Sequence, residues 1–178
     1  MDAKLTEQTI RSRMGAALIL SIVIALSGCA HGTITPSSPS ESHVAGRIRA
    51  VTVTASTEIV PERLAVYRRM DGDELVAAQV VGQLNDLEVT DRSGDLEVEV
   101  TIEAFRLRST GNAVWNGVLA GIDKLEGSVL VKQDDAEPVS YDFKLSGWED
   151  GYFKYSSTAR FKSLARELGR KIGSIIAE

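Results

Sequence analysis

The chain has one cysteine, Cys29, and two histidines, His31 and His43, in 178 residues. A lone thiol excludes a disulfide framework and any site built from several thiolates. Both histidines precede the folded region expected below. That excludes histidine-dependent nucleophilic triads, histidine general-base chemistry and the usual zinc and copper sites from the domain. No G-x-G-x-x-G and no phosphate-cradling lysine loop occurs. An excess of positive charge is also missing: 20 Lys and Arg stand against 25 Asp and Glu, a formal charge of −5. A nucleic-acid binder needs a basic domain to meet phosphates. No cofactor, no metal and no nucleic acid is therefore expected. Otherwise the chain is ordinary, with 43% hydrophobic and 25% charged residues. Its length suits one domain with an extra segment.

The extra segment is N-terminal. Lys4, Arg11 and Arg13 precede an uncharged apolar run from Met14 to Leu26. As a helix this run would span about 20 Å, short of the ~30 Å hydrocarbon core of a bilayer. A basic stretch followed by a short apolar one is the secretory-signal pattern. A buried core helix fits less well, because the run has no polar face and leads into a Ser- and Pro-rich stretch. Leu26-Ser27-Gly28-Cys29 then resembles the lipobox of bacterial lipoproteins, small residues before an obligatory cysteine. That resemblance implies cleavage between Gly28 and Cys29, a diacylglycerol thioether on Cys29 and an acylated (palmitate-type) amino terminus. Several acyl chains, at ~0.8 kcal/mol per buried CH₂, hold a protein on a bilayer. Cys29 thus reads as an anchor, not a nucleophile. Ala30 stands where enteric-type lipoproteins retained at the inner membrane carry aspartate, which by the same resemblance implies the cell outer membrane, with the domain facing the periplasm and the inner membrane as the other option.

Three segments are expected: a signal peptide over 1–28, a lipidated cysteine with a disordered tether over 29–45, and one globular domain over 46–178. The tether holds Thr33-Ile34-Thr35-Pro36-Ser37-Ser38-Pro39-Ser40, a composition poor in burial, and sixteen such residues reach at most about 50 Å. In the domain, Arg47–Thr54 is β-branched and reads as a strand. Pro61 suits a helix N1 position before Glu62–Arg69. Asp71-Gly72-Asp73 offers a break and an N-cap for a helix over Glu74–Asn85, with Leu75, Ala78, Val81 and Leu84 as its apolar stripe. Leu96 to Arg108 alternates as a half-buried strand, and its phase flips at Phe105 and Leu107, the sign of a bulge. Glu126–Lys132 and Val139–Leu145 read as strands joined by a hairpin, the second burying Val139, Tyr141, Phe143 and Leu145. Thr158–Ile176 is an amphipathic helix with Ser156 or Ser157 as cap. The order β-α-β-β-β-α predicts an α+β fold, a mostly antiparallel sheet of about four strands with helices on one face.

Three features are candidates for function. Gly111 to Gly121 is apolar and glycine-punctuated, and Trp115, Val118 and Leu119 in it suit contact with a partner or membrane. The simpler alternative is a cover over the domain's own sheet. The last helix carries Arg160, Lys162, Arg166, Arg170 and Lys171, a basic cluster in an acidic chain, with Arg166 and Arg170 as candidate contacts to an anionic surface. A solvated helix face, with cations favoured towards the C-terminal end by the dipole, is the simpler explanation of them. Trp148, Tyr152, Phe153 and Tyr155 concentrate aromatics before that helix, as a core cap or groove wall.

The stretch from Phe105 to Leu130, with Gly111, Trp115, Gly117 and Gly121 before a strand, looks like a family of small Gram-negative lipoproteins known as a domain of unknown function. The strand–helix–strands–helix order is similar to envelope lipoproteins resembling the N-terminal domain of the Tol-system translocation protein. The hairpin departs from that family, carrying Asp134-Asp135-Ala136-Glu137-Pro138 where an Asp-x-x-[ST]-Gly turn is usual. The resemblance implies a fold and a compartment, and no activity. The expected function is a non-catalytic envelope lipoprotein binding another envelope protein. The alternatives are a lipid or small-ligand binding lipoprotein, then a cell-wall hydrolase working through paired carboxylates. Glu97, Glu99 and Glu103 read as a solvated row, so no enzyme is expected.

Overall fold

Alternation along three consecutive strands organises the molecule. In the computed structural model, which describes residues 30–38, 44–108, 122–134, 136–147 and 156–176, β1 (His31–Pro36) and β2 (Ile48–Ala55) are followed by α1 (Pro61–Arg69) and α2 (Gly72–Asp86). Then come β3 (Leu96–Arg106), β4 (Asp123–Gln133), β5 (Val139–Gly147) and α3 (Ser157–Ile176). The fold is α+β, with one five-stranded sheet in the order β1-β5-β4-β3-β2. β3, β4 and β5 form the expected antiparallel meander, while β2 joins β3 in parallel through the α1–α2 crossover.

Val98 lies opposite Val131, Val100 opposite Val129, and Val129 opposite Tyr141, so one face of the sheet is a continuous apolar row. The helices cover that face and the core lies between. The flip in β3 is real. Register shifts between Ile102 and Ala104, and Phe105, not Ala104, returns to the core. There it meets Tyr67 of α1 and Phe161 of α3 edge to face, with centroids 5.0–5.7 Å apart.

Three expectations are corrected. His31–Pro36, assigned to the tether, is an edge strand antiparallel to β5, so the sheet has five strands and the folded part contains His31. Thr33 and Thr35 face the polar side while Ile34 packs against the core, an alternation too short to stand out amid Ser and Pro. Gly32 permits the pairing, since a Cβ there would strike the Lys144 carbonyl oxygen. Asp71 lacks a side-chain cap bond: it sits in the left-handed region at φ 50° and only its carbonyl accepts, from Leu75 N–H at 2.8 Å. Finally, α2 buries Val76, Val80 and Leu84 completely, not Leu75, Ala78 and Val81. Its sequence is apolar nearly all round, so close packing of α3 selects the face. Gly169 of α3 lies where a Cβ would be 3.0 Å from the Val80 backbone. By contrast, of the stripe Phe161, Leu164, Ala165, Leu168, Ile172, Ile175 and Ile176 that its pattern predicts, α3 buries all but Ile175, which is half-buried, and Ser156 Oγ accepts from Ala159 N–H at 3.4 Å.

Candidate functional site

The solvent face of the sheet is polar and internally paired. Arg49 meets Glu97 at 2.9 Å and Asp134 at 3.2 Å, Lys132 meets Glu99 at 2.6 Å, and Ser128 donates to Glu103 at 3.0 Å. Two acids raise the affinity of the Arg49 guanidinium for its proton, led by the hydrogen bond to Glu97. Glu97 and Glu99 are thus ion-paired surface groups. Among the described residues no group of three or more His, Cys, Asp or Glu stands close enough to hold a metal.

Charge is handled differently at one end of the sheet. Arg108 follows β3 by two residues, Asp123 opens β4, and Arg160 lies in the first turn of α3. All three are buried, at 5%, 1% and 5% exposure. Asp123 Oδ1 accepts the Arg108 backbone N–H at 2.7 Å and Oδ2 accepts Arg160 Nε–H at 2.8 Å. Arg160 Nη2–H donates to the Arg108 carbonyl at 2.6 Å. The carboxylate therefore ties three elements together. Arg160, which the helix pattern puts on a solvated face, is a core residue because Asp123 draws it inward.

Arg108 is less well served. Its Nε lies 3.6 Å from Asp123 Oδ1, close enough for ion pairing and too far for a hydrogen bond. Nε and Nη2 are buried without a hydrogen-bond partner. Guanidinium groups are rarely buried without acceptors, because desolvation is then uncompensated. No spacing motif marks this cluster, and the only sequence signal is two arginines and an aspartate bordering apolar, glycine-rich or aromatic connections.

The other candidate residues are separate. Arg166 Nε donates to Gln79 of α2 at 3.0 Å, and Arg170 grips Glu167 with two bonds of 2.9 and 2.7 Å, which raises its affinity for the proton. Both are exposed and serve local contacts. Gly28, Cys29, Trp115, Val118 and Leu119 lie outside the described residues. A shallow open cleft of about 290 Å³ runs between β2 and α2, bordered by Arg49, Val51, Val81, Asn85 and Asp91.

A row across the sheet shares the end occupied by the cluster: His31 lies opposite Ser146, Ser146 opposite Lys124, and Lys124 opposite Arg106. His31 Nε2 lies 3.1 Å from Ser146 Oγ.

No protein-family model matches the chain, and neither does any curated protein. Among solved structures it is similar to a PelC dodecamer variant from Paraburkholderia phytofirmans, with 14% identity, a TM-score of 0.49 and coverage of 82% of this chain and 97% of that one. A second PelC dodecamer structure from that organism gives 13%, 0.49, 83% and 99% respectively. A crystal structure of an uncharacterized protein gives 12% identity and a TM-score of 0.48 over 72% of this chain and 90% of that one. Identities of this size transfer no function.

Proposed function

We propose that the chain is a non-catalytic lipoprotein of a bacterial envelope, a membrane-anchored interaction module facing the periplasm from the outer membrane. The observation that carries this reading is the lone cysteine standing directly after a short uncharged apolar run, in Leu26-Ser27-Gly28-Cys29. The pairing of the surface carboxylates with Arg49 and Lys132 supports a non-catalytic role.

The short distance from Cys29 to β1 gives the proposal a geometry. β1 begins at His31, two residues after the cysteine. Two residues reach about 7 Å. On this reading the domain is held against the bilayer by the end of the sheet that carries His31, Lys124 and Arg106, in place of floating on a long tether. Basic groups at that end suit anionic headgroups, each contributing about 1 kcal/mol near such a surface.

Mass spectrometry of the protein from bacterial membranes tests the proposal. The expected product begins at Cys29 and carries acyl mass, and Cys29→Ser leaves the domain unlipidated and the precursor uncleaved. An unmodified thiol with residues 1–28 still attached would overturn it. Cross-linking of the lipidated protein in intact envelopes is expected to recover a specific protein partner.

The buried Arg108 guanidinium, with Nε and Nη2 lacking a hydrogen bond, favours a second reading, a lipoprotein that binds a small anionic ligand.

A further inference from the structure

The geometry points to a phosphate-binding site at Arg108, beside Asp123 and the first turn of α3. The site itself needs only the fold. Its assignment to a lipid headgroup rests additionally on the anchored reading above.

Asp123 leaves the Arg108 side chain without a hydrogen bond at Nε and Nη2. Its Oδ1 already accepts the Arg108 backbone N–H and its Oδ2 accepts Arg160 Nε–H. What remains for the Arg108 side chain is a 3.6 Å ion pair, with Nε and Nη2 both buried and unbonded. The side chain is 2% exposed, so bulk solvent does not take the place of an acceptor there. Nε and one terminal nitrogen form the edge of the guanidinium that matches two oxygens of a phosphate or carboxylate.

Phosphate is favoured over carboxylate by the surroundings. Arg160 holds a second guanidinium at the cluster, through its bond to the Arg108 carbonyl. It also lies within the first turn of a twenty-residue helix, where the positive end of the backbone dipole stabilises anions. Two guanidinium groups and a helix N-terminus in one place suit the more highly charged and more symmetric oxyanion. Arg170, with its bidentate Glu167, has its acceptors within the chain; Nε and Nη2 of Arg108 have none among the described residues.

The test uses the full chain purified from membranes, and in parallel its Cys29→Ser form, which keeps residues 1–28 but carries no acyl groups and so separates the site from lipidation; every vesicle result is read as the difference that Arg108→Met makes. Inorganic phosphate is titrated while phosphorus NMR linewidth and thermal unfolding are followed. The native chain is expected to broaden the phosphate signal and to show a Tm that climbs with phosphate concentration, as binding to the folded state requires. Arg108→Met is expected to weaken phosphate binding tenfold or more, roughly the factor that loss of a charge-assisted hydrogen bond gives. In phosphate-free buffer the same variant should be no less stable than the native chain, because the buried Nε and Nη2 that it removes have no hydrogen-bond acceptor. A purely structural arginine predicts the opposite sign there, and a lower Tm without phosphate would overturn the proposal. So would a native chain that leaves the phosphate linewidth unchanged, a measurement independent of how any variant folds.

Vesicles of phosphatidylglycerol and of phosphatidylcholine separate the sources. Arg108-dependent binding of the Cys29→Ser form to phosphatidylglycerol alone assigns the site to a lipid headgroup, and binding of inorganic phosphate without vesicle binding assigns it to a free phosphate. Phosphate binding in a chain whose Cys29 proves unmodified would uphold the site while removing the anchored reading.

Discussion

Asp123 and Arg108 are 15 residues apart in the chain and close on one another through a 2.7 Å hydrogen bond from the Arg108 backbone N–H to the carboxylate. The contact clasps the end of β3 to the start of β4, just beyond the bulge that shifts their register. With Arg160 on the other oxygen, one carboxylate determines where the last helix begins relative to the sheet.

Removal of that carboxylate should be costly. Asp123→Ala leaves two buried guanidinium groups facing each other and deletes the acceptor of both N–H bonds. A loss of about 3–5 kcal/mol is expected from breaking a buried ion pair on one side. Urea denaturation checks it, and a loss below about 1 kcal/mol would contradict the clasp.

Two of the helical glycines, Gly82 and Gly169, should respond with opposite signs. At Gly169 a Cβ would stand 2.9 Å from Gln83 Cβ and 3.0 Å from the Val80 backbone, whereas at Gly82 it would meet nothing within 4 Å. Gly82→Ala is expected to stabilise by about 0.5–1 kcal/mol through reduced unfolded-state freedom. Gly169→Val, overpacked against α2, should destabilise by about 1–3 kcal/mol. Paired thermal melts decide the matter, and equal signs would reject the α2–α3 contact.

The aromatic trio carries much of the core. Phe161 is fully buried and meets both Tyr67 and Phe105. Phe161→Ala should cost about 3–5 kcal/mol, and Phe161→Leu considerably less, because volume rather than ring geometry is the larger contribution. Tyr67, whose phenol is raised well above its ordinary range by burial and by Asp73, should remain unionised in the folded chain. Ultraviolet titration should therefore show one tyrosine that ionises only on alkaline unfolding.

Acid should weaken the loop between α2 and β3. Asp91 is held below the usual carboxylate range first by the Ser93 backbone N–H and then by its hydroxyl; Asp95 is held there first by the Gln133 side chain and then by the Arg47 backbone N–H. The unfolded chain then binds protons more readily than the folded one. The stability these groups add is present above the unfolded carboxylate value near ~3.9 and is lost as pH falls through the lower folded values. Proton NMR should show both titrating below the ordinary aspartate range, and an ordinary midpoint for either would remove its contribution.

Much of the fold could be read without coordinates. β3, β5 and α3 were evident because each has one buried face and one wet face, so polarity repeats with the period of the element. Even the bulge showed, as a change of phase at Phe105. The stripe of α2 was hidden for the opposite reason: residues 75–81 are apolar on nearly every side, and periodicity cannot choose among equivalent faces. β1 was hidden because Thr33-Ile34-Thr35 is brief and its pairing with β5 spans about a hundred residues, a relation that no local pattern records.

The amino-acid order alone settles the absence of thiol clusters, the single cysteine after its apolar run, the acidic balance and the alternation that makes a one-sided sheet. These are properties of composition and local period. Folding alone brings Arg108, Asp123 and Arg160 together, because they come from the end of one strand, the start of the next and the first turn of a helix. Buried charge acquires its meaning from which neighbours share it. That depends on three-dimensional proximity and desolvation, neither of which is written in the spacing of the residues.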